Sequence, residues 1–406
     1  MEPSQQTLAG IRVLDFSQGV AGPYCAKLLA GLGAEVIKVE PPDGGDISRG
    51  LGPFVGPSVG PFIEGAAQTR QSALVLYLNT SKQGVTLELE DPAALDTMHR
   101  LLRDSDILIE SFPLGFLEGL DLGYSSLSKV NPALIQTSVT PFGQWGPYCN
   151  YKGSDLVAQA MGALMCTVGL PDREPLKIGG ETALYTTGVS AFSATMIALH
   201  VRDARGFGQQ VDVSAMETIA VTQIHSSIHH QFGRVPTRRE SNLVRAKDGW
   251  VSPGLETGAP DGTWPKVCGL MGVPELADDP RFNTSAARRQ NQQELQEVVG
   301  RWAGALSKEE IYHTLQGMRT ITGYVATVED LVNSRQLAFR DFFQQIEEPA
   351  EVEGTYPGHP FRIEGESQSQ AQIRAPRLGE HNQEIFCGRL GFSQSELAEM
   401  VRRGTV

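Results

Sequence analysis

Cysteine is sparse: Cys25, Cys149, Cys166, Cys268 and Cys387 are the only five in 406 residues. Their number is odd, their spacing is wide, and no Cys-x-x-Cys or Cys/His zinc pattern occurs. That excludes a disulfide scaffold and a zinc module. Reduced thiols, a cytoplasmic setting and no metal site are expected. Positive charge is also short, with 34 Lys and Arg against 47 Asp and Glu, a net charge of −13. Nucleic-acid binding needs a basic face, so that class is excluded. Anionic small ligands are not excluded, because single lysines and helix N-termini bind them on acidic proteins. The opening "MEPSQQTLAGIRVLDF" has no basic segment followed by an apolar one, so no signal peptide is expected. No uninterrupted apolar run approaches the ~18 residues that cross a membrane, and no repeat recurs at solenoid periods.

What is present is the composition of a globular protein, 40% hydrophobic and 20% charged, long enough for two or three domains. "IRVLDFS" (11–17), "GPYCAKLLAGLGA" (22–34) and "EVIKVEPP" (35–42) read as strand, helix and strand, a βαβ unit of about 30 residues. Further strands are predicted at 84–91, 106–112, 132–143 and 208–214, with a helix after Pro92. The fold class is therefore α/β, a Rossmann-like large domain with a doubly wound parallel sheet. Ser154 is placed as the N-cap of a helix over 154–169. A long apolar helix follows "GGETALYTTG" (179–188) and ends at Gly206, and another runs over 215–232. The polar stretch 233–250 is read as a linker. A smaller α+β module follows, with amphipathic helices within 262–273, 290–306 and 307–318. The Pro-, Gly- and Gln-rich stretch 351–386 is read as a return crossing. The expected divisions are 1–225, 226–335 and 336–406.

The stretch "LAGIRVLDFSQGVAGPYCAKLLAGLGAEVIKVEPPDGGDISRG" resembles the opening of the class III (CaiB/BaiF-type) CoA-transferase family. "LDLGYSSLSKVNPALIQTSVTPFGQWGPY", "GSDLVAQAMGALM", "RGFGQQVDVSAMETI", "KDGWVSP", "DPRFNTSAARRQN", "YPGHPFRI" and "PRLGEHNQEIF" follow in the family's order. Several independent matches across the chain are far more specific than one short motif. The resemblance implies a large Rossmann-like domain built from the N-terminal half and the C-terminal tail, a small domain inserted between them, and two chains interlocked as a dimer. It implies transfer of CoA between a thioester and a free carboxylate. A carboxylate nucleophile forms a mixed anhydride, and backbone amides hold the oxyanion. No cofactor is required; coenzyme A or acyl-CoA is substrate or ligand. A few relatives racemise 2-methylacyl-CoA with a His where this chain has Ser154, and neither base of that pair is present here.

At the nucleophile the chain departs from the family. The family's Asp lies four residues before a glycine that aligns here with Gly188, and that position is Leu184. Leucine forms no anhydride. Glu181 is the weak substitute candidate, against a solvated or N-capping role. Asp155 matches a common family Asp and is read as structural, at a helix N-terminus. For CoA, the resemblance assigns Val20, Ala21 and Gly22 to the small-residue turn after the first strand, Lys82 to the phosphates, and Ser111 with Phe112 in place of the family's Asn-Phe. Pro41 and Gly119 stand where relatives often carry Arg, which removes charge-assisted contacts to phosphate worth roughly 1.5–3 kcal/mol each. Arg49 belongs to the common opening.

Three readings follow. The chain is the Asp-lacking subunit of a heteromeric member, as in benzylsuccinate CoA-transferase, partnered by a homologous subunit. It is a self-sufficient divergent transferase or acyl-CoA isomerase using Glu181 or another group. Or it is a CoA-binding regulatory subunit without chemistry. The acyl acceptor depends on the loop around "PGLETGAPDGTW" (253–264), which no sequence rule reads.

Overall fold

The computed structural model describes residues 6–55, 71–170, 173–233, 243–255, 262–347, 355–364 and 372–406. Half of the expected linker (234–242) and half of the acceptor-side loop (256–261) lie outside them. Contacts group the chain into two units. One comprises Met1–Val168, Pro175–Thr237 and Asp341–Val406; the other comprises Gly169–Glu174 and Arg238–Arg340.

The first unit is built on six parallel strands: β1 (Arg12–Asp15), β2 (Glu35–Glu40), β3 (Gln83–Thr86), β4 (Ile107–Glu110), β5 (Ile135–Thr140) and β6 (Gln210–Ser214). Their spatial order is β3-β2-β1-β4-β5-β6. Parallel strands buried on both faces need apolar side chains in both directions. Here Val13, Ile107, Ile109 and Val139 face one way, packing with Cys25 and Leu29 of α1 (Ala21–Gly31). Leu14, Ile37, Val85 and Leu108 face the other, against Met98 and Leu101 of α2 (Ala94–Arg103).

Three more helices frame the carboxyl ends of the strands: α3 (Asp155–Met161), α4 (Thr182–Arg205) and α5 (Ala215–Val221). α4 ends as expected, with Gly206 left-handed at φ 80° and its N–H donated to Arg202 O at 2.7 Å. Among the described residues α4 is the one helix long and apolar enough to cross a membrane. It packs against α1 instead, where Gly188 sits so close that a Cβ would lie 2.6 Å from Ala21 O. Two expected helices prove shorter. The helix predicted over 154–169 stops at Met161, because Gly162 ends it and Ala163 turns left-handed at φ 64°. The one predicted over 215–232 breaks after Val221 and resumes at Ile224–Ile228.

The C-terminal segment completes the first unit. Asn382 Oδ1 accepts the Thr86 N–H at 2.9 Å, His381 N–H donates to Gly84 O at 2.9 Å, and Glu88 N–H donates to Thr405 O at 2.8 Å. These bonds run along β3, the edge strand, and cover it.

The second unit has its own core. Helices Trp264–Leu270, Gln292–Ala303 and Lys308–Gly317 accompany a three-stranded antiparallel sheet (Val244–Arg245, Trp250–Ser252, Gly323–Tyr324). Arg288 is fully buried there, its guanidinium 4.7 Å from the Trp264 ring centre and donating to Leu255 O and Phe282 O at 2.8 and 2.9 Å.

Candidate active site

The sheet order reverses between β1 and β4, and open α/β sheets bind ligands at such a switch point. A cavity of about 400 Å³ lies there, within the first unit. Gln18 to Gly22 form one wall, at the turn from β1 into α1. Ser111, Phe112 and Pro113 form a second, beyond β4. Val139, Thr140 and Pro141 close a third at the end of β5, and Leu184, Thr187 and Ser154 complete it from α4 and the start of α3. The expected Val20, Ala21, Gly22, Ser111 and Phe112 are thus brought together with Leu184. Gly22 is required by the close approach, since a Cβ there would stand 2.2 Å from Ser17 Cβ.

The β1–α1 turn is held rigidly. Gln18 N–H donates to Ser111 Oγ at 2.9 Å and Gly19 N–H to Asp46 Oδ1 at 3.0 Å. Behind it lies a buried charge network. Lys38 Nζ is 2.8 Å from Asp46 Oδ2, and Lys82 Nζ is 2.8 Å from Asp15 Oδ2. Arg49 grips Glu40 with two contacts of 2.6 Å. Burial works to raise the Asp15 carboxyl, but Lys38 and Lys82 outweigh it and hold it below its ordinary value. The formal charges of these three carboxylates and three cations cancel.

This network corrects the expectation for Lys82. Its side chain is fully buried, and its ammonium donates to Asp15, to Pro23 O at 2.9 Å and to Asn79 Oδ1 at 2.9 Å. Three donors with three acceptors leave none for a phosphate, and Lys82 does not line the cavity.

The turn into α4 holds a second surprise. Asp155 is 3% exposed. Its Oδ1 accepts the N–H groups of Ala183 and Leu184 at 2.8 and 3.2 Å. Its Oδ2 takes Gln159 Nε2 at 2.6 Å and Lys177 Nζ at 2.9 Å. Asp155 therefore caps the neighbouring helix α4 across the site, and the cap of its own helix is Ser154, whose Oγ accepts Val157 N–H at 3.4 Å. Glu181 sits at the N-cap position of α4 without making a side-chain cap bond. Burial and the nearby Asp155 push its carboxyl above the usual range, against Lys177.

Sequence reasoning missed the buried carboxylates Asp15, Glu40 and Asp46, and a fourth at the end of β4. Glu110 ends β4 and is 1% exposed. Its Oε2 accepts Phe112 N–H at 2.8 Å and its Oε1 accepts Gln144 Nε2 at 3.1 Å. Burial raises its pKa to about 7, against the nearby Ser138 hydroxyl and the Phe112 N–H bond, with Glu118 adding to the rise. The Cys25 thiol is buried in the core and likewise pushed up, to about 12. Among the described residues no cluster of His, Cys, Asp and Glu is placed to hold a metal ion.

Fold and cavity together define a doubly wound α/β protein with a cavity at the switch point of its sheet. The model of CoA-transferase family III matches residues 8–382, and the chain belongs to that family. It is 32% identical to succinyl-CoA:(R)-benzylsuccinate CoA-transferase subunit BbsE of Thauera aromatica, over 99% of this chain and 98% of that one. It is 30% identical to succinate–glutarate CoA-transferase of Agrobacterium fabrum, over 93% and 94%. The crystal structure of a CaiB/BaiF family protein from Brucella suis superposes with a TM-score of 0.81 at 30% identity, covering 95% of this chain and all of that one. The relatives' names describe movement of CoA between acyl-CoAs and acids.

Proposed function

We propose that this chain is the non-nucleophilic subunit of a heteromeric class III CoA-transferase, acting with a homologous subunit that retains the Asp. The reaction moves CoA between an acyl-CoA thioester, such as succinyl-CoA, and a carboxylic acid. One observation supports the reading: Leu184, which the resemblance puts at the nucleophile position, lies on the cavity wall. A mixed anhydride needs a carboxylate free to attack. The nearest one, Asp155, spends both oxygens on two backbone N–H groups, an amide and an ammonium. Glu181 is not among the described residues that line the cavity, which disfavours a self-sufficient enzyme built on it.

Val20, Ala21, Gly22, Ser111 and Phe112 are the proposed CoA contacts, supported by their place on the cavity. Phosphate recognition by Lys82 is not carried forward. The proposed organisation inserts the small domain of 226–335 between 1–225 and 336–406, in an interlocked dimer. The return of Asp341–Val406 to the first unit supports the insertion. A partner subunit is supported by apolar side chains left open beside α5: Val221 is 74% exposed, Ile224 55% and Phe232 81%. Exposed apolar patches of this kind mark interaction surfaces.

The test is direct. The chain is purified alone and with a homologue carrying the Asp, then incubated with succinyl-CoA and an aryl- or alkylsuccinate. Thioester exchange by the pair and none by the lone chain is expected. Exchange by the lone chain would sink the reading, and its loss in Glu181→Gln would assign the chemistry to Glu181.

A further inference from the structure

We infer that Glu110 is a positioning residue, which locks two walls of the cavity to each other so that ligand affinity depends on this one buried side chain. The inference rests on the reading above only in taking CoA as the ligand. Glu110 is not among the described residues that line the cavity. It stands behind them, 1% exposed, as the last residue of β4.

Its two oxygens serve different walls. Oε2 accepts the Phe112 N–H at 2.8 Å, and Phe112 forms the wall beyond β4 with Ser111 and Pro113. That bond fixes the backbone where the Phe112 ring stacks on Phe116, ring centres 4.5 Å apart. Oε1 accepts Gln144 Nε2 at 3.1 Å. Gln144 belongs to the segment that leaves the cavity at Pro141 and returns to it at Gly153 and Ser154. The other groups of Gln144 are engaged on β6. Its backbone N–H donates to Asp212 Oδ2 at 2.9 Å, and its Oε1 accepts Gln210 Nε2 at 3.0 Å. One chain of hydrogen bonds therefore runs from Phe112 through Glu110 and Gln144 to β6, and it ties the two walls together.

Burial makes this clasp sensitive to charge. Burial first, and then the Glu118 carboxylate, favours the protonated form; the Ser138 hydroxyl, the Phe112 N–H and Gln144 favour the ionised one. None of these groups is a cation. An ionised Glu110 is a buried charge held by hydrogen bonds alone, which is costly, so the clasp should loosen as it forms.

The test is calorimetric titration of the full chain with CoA, with hydrogen exchange measured on the same proteins. Glu110→Ala removes both bonds. Exchange should rise together at Phe112 and across 141–154, and CoA should bind about tenfold more weakly. The double variant Glu110→Gln with Gln144→Glu puts the amide and the carboxylate in each other's places. Its amide still accepts from Phe112 N–H and donates to the new carboxylate, which also accepts from Gln210. It should recover most of the affinity and protection lost in Glu110→Ala. Between pH 5.5 and pH 8, wild-type affinity should fall several-fold relative to Glu110→Gln. Titration of the CoA phosphates is common to both and cancels in that ratio. Unchanged exchange at 141–154 in Glu110→Ala, a double variant no better than Glu110→Ala, or one pH profile for wild type and Glu110→Gln would overturn the inference. If the wild type refuses CoA, the CoA contacts proposed above fall, and the exchange pattern alone decides the clasp.

Discussion

Replacing Glu110 with Gln should flatten the dependence of stability on pH near neutrality. The carboxyl is buried at the end of β4, and burial lifts its pKa from 4.5 to about 7. A folded-state pKa above the unfolded value means that the folded chain holds the proton longer. The stabilisation is then complete below pH 4.5 and is lost as pH rises through 7. The shift of 2.5 pKa units, each ~1.36 kcal/mol, amounts to about 3 kcal/mol, of which about 2–3 falls between pH 5 and pH 8. Gln mimics the protonated form. Its oxygen still accepts from Phe112 N–H, while its amide faces the Gln144 amide and forces a rearrangement there. The assay is urea denaturation of wild type and Glu110→Gln at pH 5, 6, 7 and 8. Gln should be the less stable at pH 5 and should gain about 2–3 kcal/mol on wild type by pH 8. His359 contributes with the opposite sign, because burial holds its pKa below 6.5, but it is common to both proteins and cancels in the difference. Parallel curves for the two proteins would refute the reasoning. The same carboxyl holds Phe112, which lines the cavity, and Gln144, in the loop leading to Gly153 and Ser154 on another wall. Ligand affinity should follow the same pH window.

Two further outcomes are expected. Lys82→Met leaves Asp15 buried without its closest cation and should cost about 3–5 kcal/mol, toward the low end because Lys38 remains 3.7 Å away. A loss below about 1 kcal/mol in denaturant titration would contradict the buried pair. Gly188→Ala gains helix propensity of about 0.8–1 kcal/mol but drives its Cβ to 2.6 Å from the Ala21 carbonyl. A backbone atom cannot swing aside, so the overpacking cost of about 1–3 kcal/mol should win. An unchanged or raised melting temperature would count against it.

The strands were legible because each is a short apolar run flanked by turn residues, as in "IRVLDFS" and "DILIESF", and α4 because its apolar run is long and ends on Gly206. What was legible at Leu184 was only its spacing from Gly188, and the fold adds its place on the cavity wall. The partners of charged residues were not. Lys82 meets Asp15 across 67 positions and Asp155 reaches Ala183 across 28. Such pairings depend on which strand ends the sheet brings together, and local patterning carries no trace of that. Asp155 looks from its own neighbourhood like a carboxylate stabilising α3, and only the folded chain reveals that it serves α4. Glu110 was hidden for the same reason: "ILIE" reads as a strand ending in a polar residue, and nothing in those four letters says that Gln144 will cover it.

The covering of β3 by the C-terminal segment sets a timetable for synthesis. Thr86 and its partner Asn382 are separated by 296 residues. At about 5–20 residues per second, a ribosome exposes the strand roughly 15–60 s before its cover emerges. Throughout that interval the nascent sheet carries a bare edge able to pair with another chain. Production of this protein should therefore be limited less by its final stability than by what shields that edge while translation finishes. Slower elongation over the second half of the message should lower the soluble yield, and a chaperone that holds nascent chains should restore it.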